Sequence, residues 1–392
     1  MKRALILFTG LVVLLLLVAL PIAAPAQGIR IGLLLPLSGK LSDIGDVEAK
    51  SFLMAVETIN KEGGIKGRRL SPILEDTGSD PDIARPALKK LITRDKVLLV
   101  AGCCSSSVAN ISAAICQENK VPFLITSASA DELTENDSSY VFRLCTPSSE
   151  YGDSLKGFLK RKAGIKSAAV IHEDTSYGRY ESRRFFSLCR RENIYIAIKR
   201  SFKGDITGLP RLFSEIEAKS PDLLYIISGS GSATAAIRQI RAAGVSLKML
   251  LGNRKGFGSS EFIASTGLEE EHIFVPVPWT PSVPYEGAMN YYMNFKKRFF
   301  FEPDYHGVQA FSGILVIADA IKRSDILSTE AVREALYETD MMTPLGPVSF
   351  VSYGGKSQQN RLAPLLCQWI DGNFEIVWPG SLATAKHLLG YP

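Results

Sequence analysis

The residues of this 392-residue chain best suited to chemistry are hydroxyls gathered where apolar runs give way to helix-forming ones. Cys104-Ser105-Ser106-Ser107 follows the run ending at Val100-Ala101-Gly102 and opens an amphipathic stretch near Val108. Serine hydroxyls and unpaired N–H groups at a helix start form a ready carboxylate site. One serine would satisfy ordinary N-capping, so three in a row point to Ser105 and Ser106 as ligand contacts. Thr126-Ser127-Ala128-Ser129-Ala130-Asp131 holds the same place after the next apolar run. Turn chemistry alone accounts for Ser and Asp there. If the two strand ends converge, Ser127, Ala128 and Ser129 join Ser105 on one head group.

Further along, His172-Glu173-Asp174 and Tyr177-Gly178 close another apolar run, where Tyr177 could cover a ligand side chain from an opposite wall. His172 beside two acids invites an acid–base reading, but a lone His at a strand end is more often structural. Ser228-Gly229-Ser230-Gly231-Ser232 looks like a phosphate turn, yet Thr234 stands where G-x-G-x-x-G needs its third glycine. Gly229 is better read as room for a ligand or for close backbone approach. No nucleophile elbow, Walker A or H-E-x-x-H is present, so the reading is a binding protein and not an enzyme, with no cofactor. Four His and no C-x-x-C argue against a metal site.

Those loops need elements to position them. Strand-like runs at 30–35, 70–74, 97–100, 122–125 and 140–143 alternate with helix candidates at 46–62, 83–92 and 108–118. Ala49, Phe52, Leu53, Val56 and Ile59 set the apolar face of the first helix. The alternation restarts, with strands at 168–172, 195–199, 223–227, 249–251 and 273–277, and helices at 154–162, 180–191, 209–218, 232–243 and 260–265. Pro276, Pro278 and Pro281 interrupt it and read as a connection. Helices at 285–300, 308–322 and 330–338 precede strands at 348–351, 365–370 and 374–378. The pattern predicts an α/β chain of two doubly wound parallel-sheet lobes with a ligand between them.

Composition agrees. Hydrophobic residues make up 46%, enough for two cores, and the net charge of +5 is scattered with no basic stripe for nucleic acid. Met1-Lys2-Arg3, an apolar run to Leu20, Pro21 and Ala24-Pro25-Ala26 read as a Sec-type signal peptide over 1–26, placing the mature chain in the periplasm. The run is nearly long enough to span a bilayer, so an uncleaved anchor is the competing reading. Cys103, Cys104, Cys116, Cys145, Cys189 and Cys367 would face an oxidising space, with 15 complete pairings open to them.

Several phrases carry a family resemblance. Ile31-Gly32-Leu33-Leu34-Leu35-Pro36-Leu37-Ser38-Gly39, Ile59-Asn60-Lys61-Glu62-Gly63-Gly64-Ile65-Lys66-Gly67-Arg68, Cys104-Ser105-Ser106-Ser107, Ala128-Ser129-Ala130-Asp131-Glu132-Leu133-Thr134, Tyr177-Gly178 and Ile237-Arg238-Gln239-Ile240-Arg241-Ala242-Ala243-Gly244 together resemble the leucine/isoleucine/valine-binding proteins of ABC transporters, from about Ile29 to the C-terminus. The resemblance implies a type I periplasmic-binding fold, a monomer, ABC permease subunits as partners and a small carboxylate or amino-acid ligand, with the ligand-sensing module of a signalling system, which shares the fold, as the alternative. It implies a three-strand hinge with crossovers near 146–150, 275–281 and 355–366. The lobes are then 27–148 plus 279–355, and 149–278 plus 356–392. By motif, Ser105 falls on the carboxylate-binding serine, Ser127 and Ser129 on the second cluster, and Tyr177 on the second-lobe tyrosine. Where the family places an acid for the ligand's ammonium, this chain has Asn253-Arg254-Lys255. Arg254 would repel an ammonium but could take a second carboxylate, leaving Glu173 or Asp174 as alternative acids. Gly229 stands where a wall aromatic is expected, and Ser79 replaces a disulfide cysteine.

Overall fold

The computed structural model describes residues 28–391, apart from 136–137, 204–205, 207–209, 259–261, 263–264 and 266–271. The leader expected over 1–26, and most of the helix expected at 260–265, lie outside the described residues.

Runs of Val, Ile and Leu buried on both faces become the central strands of two separate sheets. The first eight-stranded sheet takes β1 (Ile29–Leu35), β2 (Leu70–Asp76), β3 (Val100–Gly102), β4 (Phe123–Ile125) and β5 (Val141–Arg143). It is completed by β11 (Asp340–Thr343), β12 (Gly346–Tyr353) and β13 (Lys356–Asn360). The second, seven-stranded sheet holds β6 (Ser167–Glu173), β7 (Tyr195–Phe202), β8 (Leu223–Ile227), β9 (Met249–Gly252), β10 (Ile273–Val277), β14 (Leu365–Ile370) and β15 (Asn373–Trp378).

Strand order shows why a ligand site belongs between them. In the first sheet the parallel block runs β2-β1-β3-β4-β5, and in the second β7-β6-β8-β9-β10, the same winding twice. Connections leave β1 and β3 in opposite directions, as they do β6 and β8, and such switch points open a crevice beyond the strand C-termini. The sheets are mixed: β12 pairs antiparallel with β11 and β13, and β14 pairs antiparallel with β10 and β15.

Helices cover the sheets: α1 (Ser42–Lys61), α2 (Pro81–Thr93), α3 (Ser106–Glu118), α4 (Asp153–Arg161), α5 (Ser176–Arg191), α6 (Pro210–Lys219), α7 (Ser230–Ala242), the short α8 (Arg254–Phe257), α9 (Ala288–Phe299), α10 (Tyr305–Arg323) and α11 (Thr329–Tyr337). Helix α10 packs on α1, and the Tyr291 hydroxyl of α9 meets Ser51 of α1 at 2.9 Å, so both late helices belong with the first sheet.

Three expectations are corrected. Leu53 is exposed; α1 buries the expected Phe52 and Val56 and, beside them, Gly45, Glu48, Ser51, Met54 and Ala55, placing a carboxyl in the apolar stripe. The third strand lies at Val100–Gly102, not 97–100. Lys356–Asn360 pairs in the first sheet, Gln359 opposite Arg143, although the expected division gave it to the second lobe. The chain therefore passes between sheets after β5, after β10 and in the four residues separating β13 from β14. All six cysteines are free and five are buried, with burial pushing the Cys145 and Cys189 thiols up to about 12. No helix among the described residues is long and apolar enough to cross a membrane.

Candidate functional site

Ser105 is placed by a forced turn. Gly102 ends β3 with φ +118°, where a Cβ would stand 2.6 Å from the Leu34 carbonyl oxygen, and Cys103 follows with φ +70°. Only glycine fits the first of these without strain. The chain then reaches Ser105, the N-cap of α3, in extended geometry. The Ser105 hydroxyl lies 3.0 Å from that of Ser107 and caps no backbone N–H of its own helix. The first N–H groups of α3 have no intrahelical acceptors and carry the positive end of its dipole. This start of α3 sits at the β1/β3 switch point.

The second hydroxyl cluster is tied to the first through the backbone. Ala128 N–H donates to the Cys103 carbonyl at 2.9 Å, and Ala130 N–H donates to the Ser106 hydroxyl at 3.3 Å. The side chains, however, turn inward. The buried Ser127 hydroxyl donates to Glu48 of α1 and lies 3.3 Å from the Cys103 carbonyl. Ala128 is fully buried, and its carbonyl accepts from the Cys145 thiol at 3.1 Å. The Ser129 carbonyl accepts from Ser148 N–H at 2.7 Å, and its hydroxyl bonds the Tyr151 phenol. The structure thus joins Ser105, Ser106, Ser127, Ala128 and Ser129 in one loop pair, with Ser105 the least committed.

Glu48 escaped the sequence reading. It is wholly buried, and burial is the main force raising its carboxyl to about 8; the Ser127 hydroxyl opposes that shift and the charge of Asp304 adds to it. Its Oε2 has no hydrogen-bond partner among the described residues. The available signal was a Glu four residues before Phe52 and seven before Ala55, in register with a buried face.

On the second sheet, Tyr177 lies in the first turn of α5 and is 43% exposed. Gly178 beside it approaches so closely that a Cβ would fall 2.1 Å from the Glu173 carbonyl oxygen. Gly229 caps α7, and its N–H donates to Glu173 Oε1 at 2.9 Å across the β6/β8 switch point. Asp174 is paired with Arg179 and Lys203. Both acids considered for an ammonium are therefore already engaged within the second lobe. The His172 ring Nδ1 lies 2.9 Å from the Glu173 carbonyl oxygen, a local contact with no nucleophile in it.

Arg254 reaches across. It begins α8 just past β9, and its Nη2 lies 3.9 Å from Oδ2 of Asp304, the N-cap of α10 beside the first sheet. Its guanidinium rests 4.5 Å from the centre of the Tyr305 ring. Asp304 is fixed by N–H groups of His306 and Gly307 at 3.0 and 3.4 Å and by the His306 ring Nδ1 at 2.7 Å. Burial alone would raise the Asp304 carboxyl, but His306 and Arg254 outweigh it and hold the group at about 2. Asp304 and Tyr305 were also missed, because the helix was expected to start only at 308. The sequence signal was an Asp directly ahead of an amphipathic run. Among the described residues no cluster of His, Cys, Asp and Glu is arranged to hold a metal ion.

Comparison with known proteins agrees with this architecture. The family model described as periplasmic binding protein matches residues 28–363. A Leu/Ile/Val-binding protein homolog of Brucella suis is 24% identical, covering 93% of this chain and 95% of its own length. Among solved structures, the branched-chain amino acid transporter substrate-binding protein of Streptococcus pneumoniae, in complex with isoleucine, is 21% identical at a TM-score of 0.68. That match covers 90% of this chain and 100% of its own. A solute-binding protein of an ABC transporter from R. palustris, in complex with benzoate, is 20% identical at a TM-score of 0.67, over 89% of this chain and 95% of its own. With a family match across most of its length and the same two-sheet winding, this chain belongs to the periplasmic binding protein family.

Proposed function

We propose that the protein is an exported, periplasmic solute-binding protein, not an enzyme, that delivers a small carboxylate to ABC permease subunits, foremost a branched-chain or other aliphatic amino acid. The carrying observation is the start of α3, where Ser105 stands at a switch point with its hydroxyl free of any capping bond. On this reading Ser105, Ser106 and the first N–H groups of α3 hold the carboxylate, the backbone around Ala128 and Ser129 frames it, and Tyr177 covers it from the second lobe. Ser127 supports the frame from behind, because its hydroxyl points to Glu48. Gly229 leaves room in the wall. The signal over 1–26 would export the chain, which acts as a monomer. Ligand that binds best when both lobes touch it shifts the population toward a closed form, and that form docks on the permease.

A thermal-shift screen across amino acids, keto acids, diacids and aromatic acids tests the reading, since a bound ligand raises the melting temperature. At least one class should stabilise the protein. Ser105→Ala should then weaken that ligand by roughly 1–3 kcal/mol in calorimetry, with the unliganded melting temperature unchanged. Unaltered affinity would remove Ser105 from the site.

A second reading takes a non-amino-acid carboxylate, either a dicarboxylate or an aromatic acid. It is favoured by the cationic Arg254 in the cleft and by the benzoate carried by a structural relative. Here Arg254→Ala should abolish any preference for diacids over monoacids, measured with succinate and butyrate.

A further inference from the structure

The position where a second-lobe acid was expected holds Arg254 instead, and that guanidinium is already matched to an acid on the other side of the cleft. Asp304 belongs to α10, which packs on α1 of the first lobe, whereas Arg254 follows β9 of the second. The two are about equally half-exposed, with side chains 31% and 32% accessible, and they stand 3.9 Å apart. That separation is an ion pair without a hydrogen bond. It is the longest of the polar contacts described for Asp304, and it is made to a cation that another cation could replace.

The rest of Asp304 is fixed. Oδ1 takes both capping N–H groups and Oδ2 takes the His306 ring, so the carboxylate is aimed before any ligand arrives. Its charge is felt by the Cys104 thiol, the residue directly before Ser105, and by the Glu48 carboxyl behind Ser127. Asp304 therefore borders the turn that offers Ser105 and the start of α3. An anion-binding helix start beside a fixed, ionised carboxylate is a pair of poles of opposite sign, the charge pattern of a zwitterion.

We propose that Asp304, from the first lobe, receives the ammonium group of an amino-acid ligand, with Arg254 as the counter-ion that yields when the ligand enters. This rests on the carboxylate-binding reading above and adds to it the acid that selects amino acids. Tyr305 gives the displaced guanidinium a resting place, because the ring face holds a cation without needing Asp304. The chain then binds the ammonium from the same lobe that binds the carboxylate.

Calorimetry on the purified protein with matched pairs tests this: L-leucine with 4-methyl-2-oxopentanoate, L-phenylalanine with phenylpyruvate, and L-glutamate with 2-oxoglutarate. Each pair differs chiefly in the ammonium. The wild type should bind the amino-acid member of at least one pair tenfold or more tighter. Asp304→Asn keeps a capping oxygen, and it should weaken that amino acid at least tenfold while the keto acid changes by less than twofold. Asp304→Ser, which also caps, should do the same, and unliganded melting curves report whether each variant is folded. Arg254→Ala should retain the preference. A wild type that favours the keto acids would leave the carboxylate reading standing and overturn the role of Asp304. So would equal losses for both members of a pair in folded Asp304 variants. A wild type that binds no member of any pair would overturn the role of Asp304, and one that also binds nothing in the thermal-shift screen would overturn the carboxylate reading with it.

Discussion

At pH 9, Glu48→Gln should melt higher than the wild type, on the order of 5 °C, while at pH 5 the two proteins should melt alike. The reason is the raised carboxyl. Its folded value of about 8 lies above the ordinary 4.5, because burial disfavours the anion more than the Ser127 hydroxyl favours it. Between those values the folded chain keeps a proton that the unfolded chain has lost. Stability therefore falls as pH rises through that window, by about 1.4 kcal/mol per pH unit, and is level above about 8. Below 4.5 both states are protonated and the group contributes no pH dependence. Glutamine offers Ser127 the same acceptor oxygen and cannot ionise, so the cost disappears. Thermal unfolding of both proteins across pH 5–9 measures the effect, and parallel curves would show that Glu48 ionises as freely as a surface acid.

Arg143→Leu should cost about 3–5 kcal/mol of stability in urea unfolding, the range for breaking a buried charged network. Arg143 is the bulkiest fully buried side chain among the described residues. Its Nε donates to Gln359, Nη1 to the Ala130 carbonyl and Nη2 to the Thr134 hydroxyl at 2.8 Å. Gln359 passes the contact on, donating to the Cys145 and Asn360 carbonyls at 2.8 and 2.6 Å. Leucine fills part of the volume but leaves buried acceptors without donors, which is the expensive half of losing a hydrogen bond. The same guanidinium anchors the loop carrying Ser127 to Ser129 against β13, so ligand affinity should fall with stability. A loss below about 1 kcal/mol would mean that water replaces the guanidinium.

What was legible in the sequence follows from how each feature is encoded. The central parallel strands announce themselves because burial on both faces demands unbroken apolar runs such as Leu223–Ile227. β13 does not, since Lys-Ser-Gln-Gln-Asn has no apolar pattern at all. It is buried because its polar side chains find partners on neighbouring segments, as when the Asn360 amide donates to the Leu144 carbonyl at 3.2 Å. The place of Ser105 at the start of a helix was readable from its neighbours, because strand, turn and helix start are contiguous. That the Ser127 hydroxyl turns toward Glu48 was not readable, as this partner is brought in by a distant helix. Arg254 was singled out by its charge, but its partner Asp304 could be found only once the two sheets were placed side by side.

The three passes of chain between the sheets run close together, and their pairing proves it. The first leaves beside Arg143 of β5, whose neighbour in the sheet is Gln359 of β13, where the third leaves. The second departs from Val277 of β10, paired with Leu365 of β14, where the third arrives. Three tethers gathered into one narrow ribbon resist shear and torsion far more than bending. Any relative motion of the lobes would then be confined largely to one bending mode, for which a single distance, such as Tyr177 to Ser105, should serve as the reaction coordinate. If the lobes close as proposed, each closure without ligand brings Arg254 back to the neighbourhood of Asp304.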